Sequence, residues 1–228
     1  FLTYNALKAN RLPVLLANIQ PEESVGDDWD MADLTYNQGI HGAQDTANAL
    51  MWTDSRYAVW TGNWRDPSFA GYVAQWSTVA KVVAALPEVK IAQVGQMVGM
   101  GDIQANPAEI LSTFGIQVDQ TGIGLIYSEM EAADQSEVEA VLEEDRKNFE
   151  VDSGLPEQNH QYAAKFQVGL ERYLAAGAYS GISVYFNAPA DDGRFRQLPL
   201  LAASNLMAKG YGYGGEGDVM STIIVTVG

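Results

Sequence analysis

Apolar residues in this chain fall into short runs separated by longer amphipathic stretches. Leu12–Ile19, Tyr57–Thr61, Lys90–Val94, Ile116–Val118 and Ile182–Phe186 are the apolar runs, short enough to be strands buried in a parallel sheet. Between them the spacing predicts helices. One spans Asn37–Trp52 with Asn37 as N-cap, and another runs from Asp66-Pro67 to about Leu86, closed by Pro87. Asn106-Pro107 opens a short helix reaching Phe114. Two acidic helices are then followed by a longer one over Gln158–Ala176, and a last clear one over Leu198–Lys209. Phe1–Leu7 reads as the middle of a helix. Asp27–Asp33 reads as a polar loop and Gly210–Gly217 as a glycine-rich loop before a final element from Asp218. Strand and helix alternate, which argues for α/β layers around parallel sheets, and the sharpest boundary falls between Leu86 and Lys90.

Composition narrows the functional classes. The 228 residues are 47% hydrophobic and 18% charged, a charged share below the usual figure of about 25%. That balance suits interiors built from buried strands. No apolar run is long enough to cross a membrane. The net charge is −16, and the segment from Glu129 to Glu157 holds eleven acids against Arg146 and Lys147, a solvated helical surface. Such a chain repels phosphate backbones and carries no basic stripe, so nucleic acid is not an expected partner. With no cysteine, disulfides, thiolate metal sites and a cysteine nucleophile are excluded. A cysteine-free acidic chain suits the cytoplasm. The opening at Phe1 and the stop at Gly228 read as points inside a longer chain.

The densest chemical signal is Gly210-Tyr-Gly-Tyr-Gly-Gly-Glu-Gly-Asp218. Its glycines allow positive φ angles and a close approach of backbone to a ligand or to another segment. It lacks the Lys-Ser/Thr ending of a phosphate loop. Glu216, flanked by glycines, is exposed enough to serve as a metal ligand or a proton-transfer base. Taken alone, the string fits a tight turn slightly better, with Asp218 as N-cap and Glu216 merely solvated. In Tyr36-Asn-Gln-Gly-Ile-His-Gly42, Gln38 and His41 are three apart at a helix start and share one face. They could hold sugar hydroxyls, or they could form a capping network. His160, among Glu157, Gln158 and Asn159, reads as a surface helix residue. Gln96-Met-Val-Gly-Met-Gly-Asp102 follows a strand, where α/β folds place ligand-contacting loops, although methionines there are more often core filler.

In order along the chain, five strings resemble the L-arabinose isomerases, with the L-fucose isomerase-like proteins close behind. They are Asn37-Gln-Gly-Ile-His-Gly42, Val59-Trp-Thr-Gly-Asn-Trp64, Gly95-Gln-Met97, Arg196-Gln-Leu-Pro199 and Gly210-Tyr-Gly-Tyr-Gly-Gly-Glu-Gly-Asp218. The last is specific, and the others gain force from their order. The resemblance implies two consecutive Rossmann-like units with mainly parallel, doubly wound sheets, the first incomplete. Residues 1–87 would be the latter part of an N-terminal domain and 88–228 most of a central domain, with a C-terminal domain absent. It implies an aldose–ketose isomerase that moves a proton between adjacent carbons through an enediol. Glu216 would both bind a divalent metal, typically Mn²⁺ with Mg²⁺ or Co²⁺ as alternatives, and transfer the proton. Gln38, His41, Met97 and Phe186 would line the sugar site. The remaining metal ligands, a second glutamate and two histidines, would lie beyond Gly228, leaving this chain inactive alone. A homo-oligomer is implied, built on trimers or a hexamer, with active sites shared between subunits. The competing reading is a non-catalytic sugar-binding or regulatory α/β protein.

Overall fold

The computed structural model describes residues 3–10 and 12–228. The chain divides into two compact units, Phe1–Ala85 and Leu86–Gly228. Phe1 and Leu2, part of the helix expected at the start, lie outside the described residues.

The first unit runs α1 (Tyr4–Ala9), β1 (Val14–Gln20), α2 (Met31–Tyr36), α3 (Gly39–Trp52), β2 (Tyr57–Asn63) and α4 (Pro67–Ala85). β1 and β2 pair in parallel from Val14↔Tyr57 to Gln20↔Asn63. Two expectations are corrected here. The stretch read as a polar loop ends in α2, because Asp30 and Asp33 close a capping box that starts a helix at Met31. The N-cap of α3 is Gln38, not Asn37. Asn37 is buried instead, and its side-chain oxygen accepts from Gln20 Nε2 and from the Glu22 backbone N–H. It therefore ties the end of β1 to the turn between the helices. β1 is parallel as expected but only half-buried within this unit, where Asn37, Ala49, Leu50 and Trp60 are the buried residues among those described. A two-stranded sheet has too few neighbours to cover both of its faces.

The second unit begins with a short 3₁₀ turn at Leu86–Glu88 and continues β3 (Lys90–Val94), α5 (Pro107–Phe114), β4 (Gln117–Thr121), α6 (Ile123–Glu131), α7 (Gln135–Asn148) and α8 (Glu157–Gly177). It closes with β5 (Gly181–Val184), α9 (Asn187–Asp192), α10 (Leu200–Ala208), β6 (Gly212–Gly215) and α11 (Val219–Val227). The four strands are parallel in the order β4-β3-β5-β6. On one face Ile91 packs with Ile110 of α5 and with Val219 and Ile223 of α11. On the other, Ala92, Val94, Ile182 and Val184 pack with Ile126, Phe166, Leu170 and Leu206 of α6, α8 and α10. This is a doubly wound α/β sheet, and α7 adds a further layer over α8 through Val138, Val141 and Leu142. No helix of the described residues is long and apolar enough to cross a membrane.

Two more expectations change. His160 is buried at 4% exposure, because α7 covers the first turn of α8. Its Nε2 lies 2.8 Å from Asp145 Oδ2, while Asn205 donates to both Asp145 and Gln167, so the buried polar groups of α7, α8 and α10 satisfy one another. The segment read as a glycine-rich loop holds strand β6. Two of its glycines, Gly212 and Gly214, are there for packing. A Cβ on Gly212 would collide with the Thr226 side chain, and one on Gly214 with Thr222 Oγ1 and, at 2.6 Å, the Asp218 carbonyl oxygen. α11 thus lies directly on the strand backbone, closer than any side chain allows. Gly212→Ala should cost about 1–3 kcal/mol by overpacking, read as a lower urea midpoint for the chain. An unchanged midpoint would mean that α11 does not sit against β6.

Candidate functional site

Parallel strands all end on the same side of a sheet, so the loops after them share one edge. Here the C-terminal row is Thr121, Val94, Val184 and Gly215. From β3 the chain turns back through α5 on one face, whereas from β5 it leaves through α9 and α10 on the other side. Adjacent strands whose continuations diverge leave a crevice at their C-terminal ends, the place where open α/β sheets bind ligands. Gln96 and Met97 follow β3, Tyr185 and Phe186 follow β5, and Glu216 follows β6. Three of the residues singled out from sequence, Met97, Phe186 and Glu216, therefore lie along one edge.

Glu216 is held by its backbone. It has φ +62° and Gly217 has φ +80°, two successive residues in the left-handed region. Its carbonyl oxygen accepts from the Met97 backbone N–H at 2.9 Å, bridging the loops after β3 and β6 across the end of β5. The next carbonyl, that of Gly217, accepts from Gln93 Nε2 at 2.9 Å. A Cβ on Gly217 would stand 2.6 Å from Gln96 Cα and from the Gly95 carbonyl oxygen, so only glycine lets the two loops touch. Asp218 caps α11, as expected, by accepting from the Ser221 backbone N–H. Glu216 is partly exposed, and its carboxylate makes no hydrogen bond among the described residues. A carboxylate on a fixed backbone, with no internal partner, is free to accept a proton or bind a cation.

Met97 is partly buried and Phe186 is 39% exposed. Phe186 was expected inside a strand, but β5 ends at Val184, and Phe186 is the N-cap residue of α9, with its ring 4.8 Å from that of Tyr185. Both side chains leave some apolar surface exposed in the segments that follow β3 and β5. Tyr213, within β6, packs into the core, and burial pushes its phenol above the usual range, so it stays neutral.

Gln38 and His41 belong to the first unit. They sit at the N-cap and in the first turn of α3, with His41 exposed, and neither side chain makes a hydrogen bond among the described residues. A capping network therefore does not account for them. Among the described residues no three His, Cys, Asp or Glu side chains come together to hold a metal ion. Glu216 is an oxygen donor suited to a hard divalent ion, but one carboxylate is not a ligand set.

Sequence reasoning missed Gln93. It is 3% exposed within the apolar strand Lys90-Ile-Ala-Gln-Val94, accepts from Gln120 Nε2 at 3.2 Å and donates to the Glu216–Gly217 turn. A lone polar residue in a buried strand was the available signal. A recess of about 620 Å³ beside edge strand β4, lined by Asp119, Tyr173 and Tyr179 among others, holds none of the candidate residues.

The model of the L-arabinose isomerase central domain matches residues 90–228. L-arabinose isomerase of Serratia proteamaculans is 28% identical over 210 residues, covering 87% of this chain and 41% of that protein. That of Nocardioides sp. is 28% identical over 228 residues, covering 96% and 44%. L-arabinose isomerase 1 of Clostridium acetobutylicum is 31% identical over 201 residues, covering 83% and 40%. The chain thus spans about two fifths of the length of these relatives.

Gln93→Leu should leave the Gly217 carbonyl without its donor, at a cost of about 1–3 kcal/mol. Native-state hydrogen exchange should then show faster exchange of the Met97 amide, whose acceptor is Glu216. Unchanged protection there would show that Gln93 does not hold the turn.

Proposed function

This chain belongs to the L-arabinose isomerase family, and from that premise we propose that it is part of an aldose–ketose isomerase in which Glu216 transfers the proton. The observation that carries this reading is the setting of Glu216. Its backbone is locked at the C-terminal edge of a doubly wound sheet, and its carboxylate is left without a partner among the described residues.

In this reading Glu216 removes the proton from the carbon next to the aldehyde, and the electron pair left behind forms a carbon–carbon double bond as the hydroxyl on that carbon passes its proton to the carbonyl oxygen. Glu216 then returns its proton to the former carbonyl carbon, giving the ketose. Met97 and Phe186 supply the apolar wall that excludes water from the reacting carbons. Gln38 and His41, whose side chains make no hydrogen bond among the described residues, are proposed to bind sugar hydroxyls, in a homo-oligomer (trimer-based, up to a hexamer) whose subunits share sites. The metal dependence we propose is for Mn²⁺, with Mg²⁺ or Co²⁺ as alternatives, which when bound polarises substrate oxygens. Glu216 would be one of its ligands, and the others would come from outside this sequence. L-Arabinose is the proposed aldose, with L-fucose as the second choice.

The test is turnover by the full-length protein. Glu216→Gln keeps the size and removes the base, so conversion of L-arabinose should fall by about 10²–10⁴-fold. Turnover within a few-fold of the parent would remove Glu216 from the chemistry. No turnover by the parent protein would instead favour the non-catalytic sugar-binding reading.

A further inference from the structure

Beside the Glu216 turn lies a recess of about 290 Å³, lined by Gln93, Gly95, Gln96, Gln120 and Thr121. We propose that this recess is a binding subsite for hydroxyl groups of a neutral polyhydroxy ligand, with Gln96 and Thr121 as its contacts. The inference goes beyond the isomerase reading by naming residues and a ligand chemistry. It rests on that reading only for the ligand being a sugar.

The lining decides the ligand class. Three carboxamides, one hydroxyl and a bare glycine surround the space, and no charged side chain is among them. An anion would find no counter-charge and a cation no carboxylate, in a chain whose net charge is already −16. Amides and hydroxyls both donate and accept, which matches an alcohol group. The volume falls just below the range of about 300–1,000 Å³ found for whole-ligand pockets, which suits one end of a sugar better than all of it.

The hydrogen bonds separate structural from available groups. Gln93 is committed, donating to Gly217 and accepting from Gln120. Gln120 is oriented by that bond, which uses its amide nitrogen and leaves its carbonyl oxygen without a partner among the described residues. The side chains of Gln96 and Thr121 make no hydrogen bond among the described residues, and both are partly exposed. Polar groups that line a concave space without serving the fold are the ones a ligand can use. The recess also shares a wall with the catalytic candidate, because Gln96 Cα is the atom that a Cβ on Gly217 would strike. The recess thus borders the turn that carries Glu216.

The experiment uses the full-length protein and L-arabinitol, a reduced pentose that cannot be isomerised, titrated calorimetrically. Gln96→Leu and Thr121→Val remove groups with no partner among the described residues, so neither should lower the urea midpoint. Each should weaken L-arabinitol binding by roughly three- to tenfold, the loss of one hydrogen bond. Unchanged affinity in both variants, or no binding by the parent protein, would overturn the proposal. The titration needs no turnover, so failure of Glu216 as the base and failure of the recess as a subsite give different results.

Discussion

The arrangement of the candidate site depends on one steric constraint, that the chain from Gly212 to Gly217 lacks side chains wherever another segment must touch it. Gly212 and Gly214 let α11 rest on the backbone of β6, against the hydroxyls of Thr222 and Thr226. Gly217 lets the turn after β6 meet the turn after β3. Glycine is costly in a strand, losing roughly 0.5–1 kcal/mol against alanine through chain entropy. That cost is accepted here because close packing fixes the turn between two regular elements. Glu216 sits within this turn, and its position follows from contacts its own side chain does not make.

Polar groups complete what the glycines allow. Ser183, fully buried on β5, donates to the Gly214 carbonyl and steadies the end of β6. Gln93 crosses from β3 to the Gly217 carbonyl, and the Met97 amide reaches the Glu216 carbonyl. Each is a buried or partly buried group whose loss would leave a partner unsatisfied, which is why such small networks rigidify a loop. The Glu216 carboxylate, by contrast, has no partner among the described residues. Committed backbone and an uncommitted side chain together make a fold element usable for chemistry.

Much of the fold could be read in the sequence because strand and helix periods differ. Lys90–Val94 was placed to the residue, and Pro107–Phe114 was placed by its asparagine cap and leading proline. Failures came where a local signal was overruled by tertiary contact. Glycines normally mark loops, yet the run ending at Gly215 pairs as a strand, because α11 needs the room their missing side chains leave. His160 looked solvated among polar neighbours, but α7 folds over it and supplies Asp145. Asn37 could have capped the following helix, but it found better partners at the end of β1. The site was legible in part. Glu216 could be named from its glycine setting and the order of the motifs. Gln93 was hidden because a single glutamine in an apolar strand does not say which distant carbonyl it serves.

Proton exchange tests the central claim, that the backbone-locked Glu216 is the base, more directly than product formation does. The full-length protein would be incubated with L-arabinose in D₂O, and the signal of the proton on carbon 2 followed by NMR. The parent protein should replace this proton with deuterium, and Glu216→Gln should not, while retaining its fold. Continued exchange by Glu216→Gln at the parental rate would contradict it.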